Sequence, residues 1–587
     1  MEIQLKQSVV FGAVLGGSLL AFTAAPWWRT LDDPAIPPRV PATFPTTWRF
    51  PAGERATFAQ HAMIASNSEI ASQAGVEVLK EGGNAVDAAV ATGFALAVAY
   101  PEAGNLGGGG YMVIRMADGR VAALDYREVA PLAATRDMYV GANGKLTGES
   151  VIGPKASGVP GAVAGMIEAQ HRYGVLPLAK VLAPAISLAE DGFKVDSTFF
   201  RSVAAAKYRI ENFSGRSVFF ERDSAPRVAS VFRQPALART IRLVADSGAA
   251  AFYRGSIADS IAAEMKRSGG LISKEDLARY KPIWREPIRG NYRGYSFIAM
   301  PPSSSGGTTV TEMLNILEAY GQPAPFGSVE EIHAVASASQ RAFVDRNSKL
   351  GDPAFVKAPV AELTSKSYAR TVARTISRDR ADPTPRLAAG MPEGNETTHY
   401  SVVDRSGNAV ATTTTLNDLY GSGIYVSGAG FFLNDEMDDF TSKPGTPNMF
   451  GLIQGEANAI APGKRMLSAM SPTIVLDPKG QLLLVTGARG GPRIISATSQ
   501  VILNVIDHRM SIADAMNAPR LHHQSLPDSI QLEPGGFDSA VVARLRAMGH
   551  SVYEQGGVAS AASIMRVKGG YQGVSDRRSR GGGVAGY

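Results

Sequence analysis

The chain has 587 residues, enough for one large core or for two sizeable units. Hydrophobic residues make up 45% and charged residues 19%, which excludes a disordered chain. There is no cysteine, which excludes disulfides, thiolate metal sites and cysteine nucleophiles. The net charge is +6, but the basic residues are scattered along the chain, so we expect no nucleic-acid partner.

The N-terminal segment predicts export. Residues 7–28 carry no charge and are about long enough to span a bilayer as a helix. Lys6 precedes this run and Asp32-Asp33 follows it, which favours an N-terminus inside the cell. The small residues Thr23–Ala25 fit a cleavable signal peptide equally well, so residues 1–29 are predicted to be a membrane anchor or a signal peptide. Both interpretations place the rest of the chain in the periplasm or outside the cell.

Two helices are predicted after a proline-rich spacer at residues 30–57. Asn67 or Ser68 can cap the first helix, whose apolar residues recur at helical spacing up to Gly82-Gly83. The second helix, from Ala85 to about Ala99, is apolar on nearly all sides, so we expect it to be buried.

The rest of the chain predicts a mixture of helices and hairpins. Residues 160–390 are mostly helical in pattern, and residues 375–396 are polar and proline-containing, which indicates an exposed loop. The predicted hairpins pair Tyr111–Met116 with Arg120–Tyr126, Thr398–Asp404 with Ala409–Leu416, and Ser471–Asp477 with Gln481–Thr486. This mixture predicts an α+β fold in layers and not a parallel βαβ array.

The hairpin at residues 397–416 brings two threonines near each other. A four-residue connection would set Thr397 opposite Leu416, whereas a three-residue bulged loop would set it opposite Thr415. The residues leave this register open, yet in both arrangements Thr415 lies beside the strand start that carries Thr397. Four threonines at 412–415 are also typical of any strand of high propensity.

Several other segments are open to a chemical and to a structural interpretation. The acidic run 435–439 is a solvated loop, a cation site or a receptor for an ammonium group. Arg127 offers a two-pronged partner to a carboxylate, or forms a surface ion pair. Gly487 to Gly491 could form an oxyanion hole or a turn. The glycines at 107–110 lack the sequence of a P-loop, and His522-His523 are expected to pack or cap, so no cofactor or metal is predicted.

Six longer strings remain to be explained, and they are Lys80–Ala89, Gly104–Gly110, Met300–Gly307, Thr397–Asp404, Leu433–Phe440 and Leu467–Thr473. Together these strings resemble the gamma-glutamyltranspeptidase family. The resemblance runs in order from about residue 58 to Tyr587, and it implies an N-terminal-nucleophile hydrolase with a four-layer αββα core. It also implies a precursor that cuts itself between Glu396 and Thr397 into a large subunit, residues 58–396, and a small subunit, residues 397–587, which stay together.

The family resemblance implies acyl transfer without cysteine. Thr397 would attack the γ-carbonyl of a γ-glutamyl compound such as glutathione and pass the γ-glutamyl group to water, an amino acid or a peptide. A terminal amine has a pKa of about 7.7–8.0, so the freed amine of Thr397 could take the hydroxyl proton near pH 7. The implied roles are Thr415 for orientation, Gly490 and Gly491 for the oxyanion, Arg127 and Ser468 for the α-carboxylate, and Asn417, Glu436 and Asp439 for the α-ammonium.

Three positions depart from the family pattern. Ala469 stands where a second carboxylate-binding serine is common, Phe450 stands where lidded members often have tyrosine, and Arg577 replaces a proline. The lid segment itself, from Pro444 to about Gly455, is present. Two alternatives to the implied function are a cephalosporin acylase of the glutaryl type, which would need no ammonium receptor, and a non-catalytic, membrane-tethered homologue.

Overall fold

The computed structural model describes residues 39–384 and 397–587. The predicted anchor or signal peptide at residues 1–29 and the predicted cleavage residue Glu396 lie outside the described residues. Within the two described ranges, no helix has both the length and the apolar character that crossing a bilayer requires.

Runs of helices and runs of strands follow one another along the described ranges. The helices are α1 Glu69–Lys80, α2 Ala85–Ala99, α3 Ala162–Tyr173, α4 Leu178–Asp191, α5 Ser197–Ala205, α6 Lys207–Glu211, α7 Arg216–Phe219, α8 Pro235–Ser247, α9 Ala249–Tyr253, α10 Ser256–Ser268, α11 Lys274–Arg279, α12 Gly306–Tyr320, α13 Val329–Lys349, α14 Val360–Leu363, α15 Lys366–Ala373, α16 Arg493–Ile506, α17 Ile512–Asn517 and α18 Ser539–Ala547. The strands are β1 Thr57–Ala59, β2 Met63–Ser66, β3 Gly109–Arg115, β4 Val121–Asp125, β5 Phe193–Lys194, β6 Val231–Phe232, β7 Ile283–Arg285, β8 Ile288–Tyr292, β9 Tyr295–Ala299, β10 Thr398–Val403, β11 Ala409–Thr415, β12 Tyr425–Val426, β13 Phe431–Phe432, β14 Thr473–Leu476, β15 Leu482–Thr486, β16 Ala488–Arg489, β17 Leu521–His522, β18 Ile530–Leu532, β19 Val552–Glu554, β20 Ser560–Val567, β21 Gly570–Ser575 and β22 Gly583–Gly586.

A seven-stranded antiparallel sheet carries the start of the predicted small subunit at its centre. Its order is β22-β2-β10-β11-β3-β4-β7, so strands from before and after residue 396 are interleaved. Side chains alternate between its two faces: Tyr400 and Val402 pack against helices, whereas Val403 faces the second sheet. Residue 397 therefore precedes a strand that is buried on both faces.

The second sheet completes a four-layer αββα arrangement. Its strands run in the order β1-β21-β20-β15-β14-β9-β8, with β16 added beside β20, and all of these pairs are antiparallel. Helices α1 to α3 cover the outer face of the seven-stranded sheet, and α12, α16 and α17 cover the second sheet. The predicted α+β fold is confirmed, with the two apolar sheet faces buried against each other.

The first two helices form as their sequences predict. Ser68 caps α1, because its side chain accepts the N–H of Ala71. Asn84 begins α2 with a capping box, in which Asp87 returns a hydrogen bond to the Asn84 backbone. Every residue of α2 is buried, which agrees with its uniformly apolar sequence.

Residues 39–57 differ from the predicted spacer, because they pack on the domain. The indole N–H of Trp48 donates to the carbonyl of Asn517 at 2.8 Å, and the indole is buried. The backbone N–H of Val40 donates to Arg509 at 2.9 Å. Proline prevents a helix here, but it does not prevent aromatic side chains from burying their surface, so the domain begins before Phe58.

Candidate active site

The turn between β10 and β11 decides the register that the sequence left open. The two strands pair without a shift, and Gly407, with a φ of 82°, closes a three-residue loop between them. Continued by one residue, this register places Thr397 opposite Thr415. The three-residue loop is therefore the correct alternative, and the two threonines lie opposite each other at one end of these two central strands.

Thr415 is held in a defined orientation by Asn417, two residues after the end of β11. Its Oγ1 accepts the backbone N–H of Asn417 at 2.7 Å, so its own hydroxyl hydrogen is directed to a different acceptor. Asn417 has a φ of 83°, a conformation that asparagine tolerates, and its Nδ2 donates to the carbonyl of Asp435 at 3.1 Å. Thr397 and Thr415 are both buried, which keeps most water away from their hydroxyl groups.

Arg127 lies in a buried charge cluster and not in a surface ion pair. Its side chain is inaccessible to solvent, and its Nη1 lies 2.7 Å from Glu436 Oε2. Its Nη2 donates to Asp439, and Glu128 Oε2 lies 3.5 Å from Nη1. The groups predicted to receive the two opposite charges of a substrate are thus in direct contact with each other.

One buried cation with three carboxylates perturbs the pKa values of all four groups. Burial alone would lower the pKa of Arg127, but Glu436, Glu128 and Asp439 raise it overall. Burial raises the pKa of Glu128 to about 7, against the opposing effect of Arg127. Burial likewise raises the pKa values of Glu436 and Asp439, again against Arg127. Each carboxyl group is therefore harder to ionise than in water, and an added cation would favour its charged form.

Sequence reasoning missed two charged residues of this site. Glu128 follows Arg127 directly, and neither of its carboxylate oxygens has a hydrogen-bond partner. Arg346, on α13, lines the same cleft, and its Nε donates to Ser305 Oγ at 2.9 Å. A charged pair at the end of an apolar strand was a usable signal for Glu128, whereas the position of Arg346 depends on packing between distant helices.

The glycine pair after β16 lies beside Thr397. Gly490 and Gly491 have φ values of 128° and 55°, which favour glycine, and α16 begins two residues later. Gly491 lines the cleft with Thr397, while Gly490 adjoins it in the chain. A Cβ on Gly491 would lie 2.9 Å from the Phe450 ring. Backbone N–H groups at the start of a helix are suited to stabilising an oxyanion.

The remaining predicted residues form the walls of the cleft. Ser468 and Ala469 line it, and Ser468 Oγ accepts the N–H of Met470 at 3.1 Å. The lid segment covers it, since Phe450 is buried and the N–H of Met449 donates to Asp438 at 2.9 Å. The predicted binding residues Asn417, Glu436 and Asp439 line the same space. Arg577 lies elsewhere and pairs with Glu54.

Two other sequence candidates have structural roles. The glycines at 107–110 allow close backbone packing, since a Cβ on Gly108 would lie 2.1 Å from the carbonyl oxygen of Thr415. His522 is buried and hydrogen-bonds Ser496 and Gln524. Across residues 39–384 and 397–587, no group of three His, Cys, Asp or Glu side chains could hold a metal ion.

Comparison with known proteins identifies the family. A family model described as gamma-glutamyltranspeptidase matches residues 71–586. The chain belongs to the gamma-glutamyltranspeptidase family. Among members of this family, the glutathione hydrolase proenzyme of Escherichia coli (strain K12) is 45% identical over 537 residues, which cover 90% of this chain and 92% of that relative.

Two acylases are also similar to this member of the gamma-glutamyltranspeptidase family. The acylase ACY 1 proenzyme of Pseudomonas sp. (strain SE83) is 37% identical over 535 residues, which cover 89% of this chain and 93% of that relative. The crystal structure of cephalosporin acylase from Bacillus halodurans matches with a TM-score of 0.81 at 31% identity, covering 93% of this chain and 99% of that one. The comparisons confirm the predicted family, the N-terminal-nucleophile fold and the prediction of an enzyme of the glutathione hydrolase type.

Proposed function

We propose that the protein is a gamma-glutamyltransferase and glutathione hydrolase that acts through an ester on Thr397. The observation that carries this proposal is the position of Thr397 opposite Thr415, beside a buried receptor that holds both signs of charge. An amino-acid head group has one ammonium and one carboxylate, and few other acyl donors need both partners. The 45% identical glutathione hydrolase proenzyme supports the same choice of substrate.

The first proposed step is self-cleavage of a precursor between Glu396 and Thr397. The hydroxyl of Thr397 attacks the preceding carbonyl, the peptide bond is replaced by an ester, and water hydrolyses that ester. The products are a carboxylate on Glu396 and a free α-amine on Thr397. The large subunit, residues 58–396, and the small subunit, residues 397–587, would remain associated because their strands alternate within one sheet.

Turnover then uses the freed amine as the base. The Thr397 Oγ attacks the γ-carbonyl of the donor while its proton moves to the α-amine, which later protonates the departing amine. Thr415 donates its hydroxyl hydrogen to the nucleophile, and the Gly490 and Gly491 N–H groups bind the oxyanion. Water, an amino acid or a peptide then attacks the γ-glutamyl ester and regenerates Thr397.

Substrate binding would exchange ion pairs inside the charge cluster. The donor carboxylate takes contacts on Arg127 and on the hydroxyl of Ser468, which is oriented by the Met470 N–H. The ammonium then lies near Glu436 and Asp439, which lose part of their contact with Arg127, and near the side-chain oxygen of Asn417. This exchange keeps every buried charge paired, which is the condition for burying it without a large penalty.

One preparation of the purified protein tests the proposal. A gel and N-terminal sequencing would detect a small subunit that begins Thr-Thr-His, and γ-glutamyl-p-nitroanilide would report turnover. Thr397→Ala should remain a single chain and release no p-nitroaniline. An uncut wild-type chain without turnover would instead support the non-catalytic homologue.

The uncharged run at 7–28 supports export to the periplasm or outside the cell as part of this proposal.

A glutaryl-type acylase is the second candidate, because two apolar residues border the cleft. Ala469 and Phe450 lower the polarity beside the carboxylate receptor, and two acylases are among the similar proteins. Glutaryl donors carry no ammonium, so the carboxylate excess around Arg127 would give them no contact. We expect γ-glutamyl-p-nitroanilide to be cleaved at least about tenfold more efficiently than glutaryl-p-nitroanilide, since one charged contact contributes about 1.5–3 kcal/mol. The reverse preference would select the acylase.

A further inference from the structure

A second arginine lies in the cleft beside the charge cluster. Arg346, near the C-terminal end of α13, lines the cleft with Thr397 and is 1% exposed. Unlike Arg127, it forms no ion pair with a carboxylate of the described residues, and three neutral oxygens accept its hydrogen bonds instead. Burial lowers its pKa to about 10, against the effect of Asp439. A buried cation without a direct counter-ion is costly to fold, which indicates a role other than stability.

Arg346 is connected through Ser305 to the end of the cleft that is predicted to bind the donor carboxylate. Its Nε donates to Ser305 Oγ at 2.9 Å, and Ser305 Oγ donates to the carbonyl of Ser468 at 2.6 Å. The backbone N–H of Ser305 donates to the same carbonyl at 2.8 Å. Because Ala469 has no hydroxyl, Ser468 provides the only one of this pair of residues. The guanidinium therefore helps to fix the segment that carries this hydroxyl.

A second set of hydrogen bonds connects Arg346 to the end of the cleft that is predicted to bind the ammonium. Its Nη1 donates to Asn347 Oδ1 at 2.7 Å and to Gln454 Oε1, at the end of the lid segment, at 3.4 Å. Gln454 Nε2 in turn donates to the carbonyl of Asp439 at 3.2 Å. One guanidinium thus joins the segments of Ser468 and Asp439, which are predicted to bind opposite ends of the donor head group.

The charge of Arg346 has opposite effects on the two ends of a bound head group. Burial raises the pKa of Asp439, and the positive charges of Arg127 and Arg346 both oppose this rise. When the ammonium of a donor takes over part of the contact between Arg127 and Asp439, the donor carboxylate meets a cleft that contains both cations. A positive charge at this position favours a bound anion and disfavours a bound cation.

We propose that Arg346 is a positioning residue for the donor carboxylate, which acts through Ser305 on Ser468 and adds positive charge to the cleft. This inference rests on the proposed function. The direct contacts with the carboxylate remain those of Arg127 and Ser468. Removal of the guanidinium should therefore weaken the binding of molecules that carry the α-carboxylate, and it should not weaken the binding of the ammonium end.

The test compares three stable molecules that contain different parts of the head group. L-Glutamate carries the α-carboxylate and the α-ammonium, glutarate lacks the ammonium, and 4-aminobutyrate lacks the α-carboxylate. Their Kd values are measured by isothermal titration calorimetry with the purified wild type and with Arg346→Gln. We expect the Kd values of L-glutamate and glutarate to rise about three- to tenfold, the effect of about one ordinary hydrogen bond, and the Kd of 4-aminobutyrate not to rise.

A second variant and a control accompany this comparison. Ser305→Ala leaves the arginine in place but breaks its connection to Ser468, so it should also raise the Kd of glutarate and not that of 4-aminobutyrate. Ser305→Ala decides the outcome if Arg346→Gln does not fold or is not cleaved. Arg341→Gln is the matched control, because Arg341 lies on the same helix but pairs with Asp382, at 3.0 Å, and keeps the wild-type Kd values.

The outcomes separate this inference from the proposed function. An equal rise in Kd for all three molecules would show that Arg346 only maintains the shape of the cleft, and an unchanged Kd for glutarate would show that it does not act on the carboxylate. Either result overturns the inference. A wild type that binds L-glutamate but does not cleave γ-glutamyl-p-nitroanilide refutes the proposed function, while the same titrations still decide the role of Arg346. A wild type that binds none of the three molecules refutes both.

Discussion

Replacing Arg127 by lysine tests the central contact of the site. The guanidinium reaches Glu436 through Nη1 and Asp439 through Nη2, so it uses both prongs at once. A lysine ammonium is a single point charge and cannot reproduce that fork. Losing one charge-assisted contact costs about 1.5–3 kcal/mol, which corresponds to a fall in kcat/KM of about ten- to hundredfold. The loss should appear mainly in KM, because the carboxylate is bound in the ground state and in the transition state alike.

The assay is the initial rate of p-nitroaniline release from γ-glutamyl-p-nitroanilide by Arg127→Lys. Arg242→Lys is the matched control, because Arg242 forms an exposed ion pair with Glu190 at 2.6 Å that should contribute less than about 1 kcal/mol. Thermal unfolding of both variants separates loss of binding from loss of fold. A correctly folded Arg127→Lys enzyme with the wild-type KM would refute the assignment of Arg127 to the donor carboxylate.

Three further predictions concern the neighbours of these groups. Thr415→Val removes the hydroxyl that accepts the Asn417 N–H and that is proposed to donate to Thr397. We expect kcat to fall about tenfold or more, and an unchanged kcat would exclude the orienting role. Gly491→Ala places a Cβ 2.9 Å from the Phe450 ring at a φ of 55°, which should displace the backbone N–H groups of this loop. Single-turnover acylation should therefore slow about a hundredfold, and a wild-type rate of acylation would exclude this loop as the oxyanion site. Burial raises the pKa of Glu128 from 4.5 to about 7, so its stabilising contribution is complete below about pH 4.5 and is lost as the pH rises through 7. The free energy of unfolding, measured with urea, should therefore fall from pH 5 to pH 8 by less in Glu128→Gln than in the wild type. An equal fall in both proteins would contradict the raised pKa of Glu128.

Local patterns were sufficient to predict several of the helices and strands. The caps at Ser68 and Asn84 and the apolar run of α2 depend on neighbours within a few residues, so the sequence predicts them well. The hairpin at 397–416 was also predictable, but its register was not. That register depends on the positive φ of Gly407 in a three-residue loop, and a four-residue loop satisfies the same pattern of strand residues.

The contacts of Arg127 could not be derived from spacing. Asp439 is 312 residues further along the chain, and no periodicity links positions so far apart. The resemblance to the family named the residues and assigned them opposite roles, but it did not indicate that they pair with each other in the absence of a substrate. Arg346 was missed for the same reason, because packing between distant helices defines its environment, whereas Glu128 had a usable local signal in the charged pair after β4.

The sequence by itself carried the family resemblance, and that resemblance implies a threonine nucleophile, because the strings around Thr397 are local in the chain. The absence of cysteine excluded a thiolate nucleophile. The tertiary structure alone decided what surrounds that threonine. Antiparallel pairing set Thr415 opposite it, and the segments that follow β4 and β13 placed the charge cluster in the same cleft. The physical reason is that nucleophile identity is a property of one residue, whereas orientation, pKa and access depend on groups that folding brings together from distant parts of the chain.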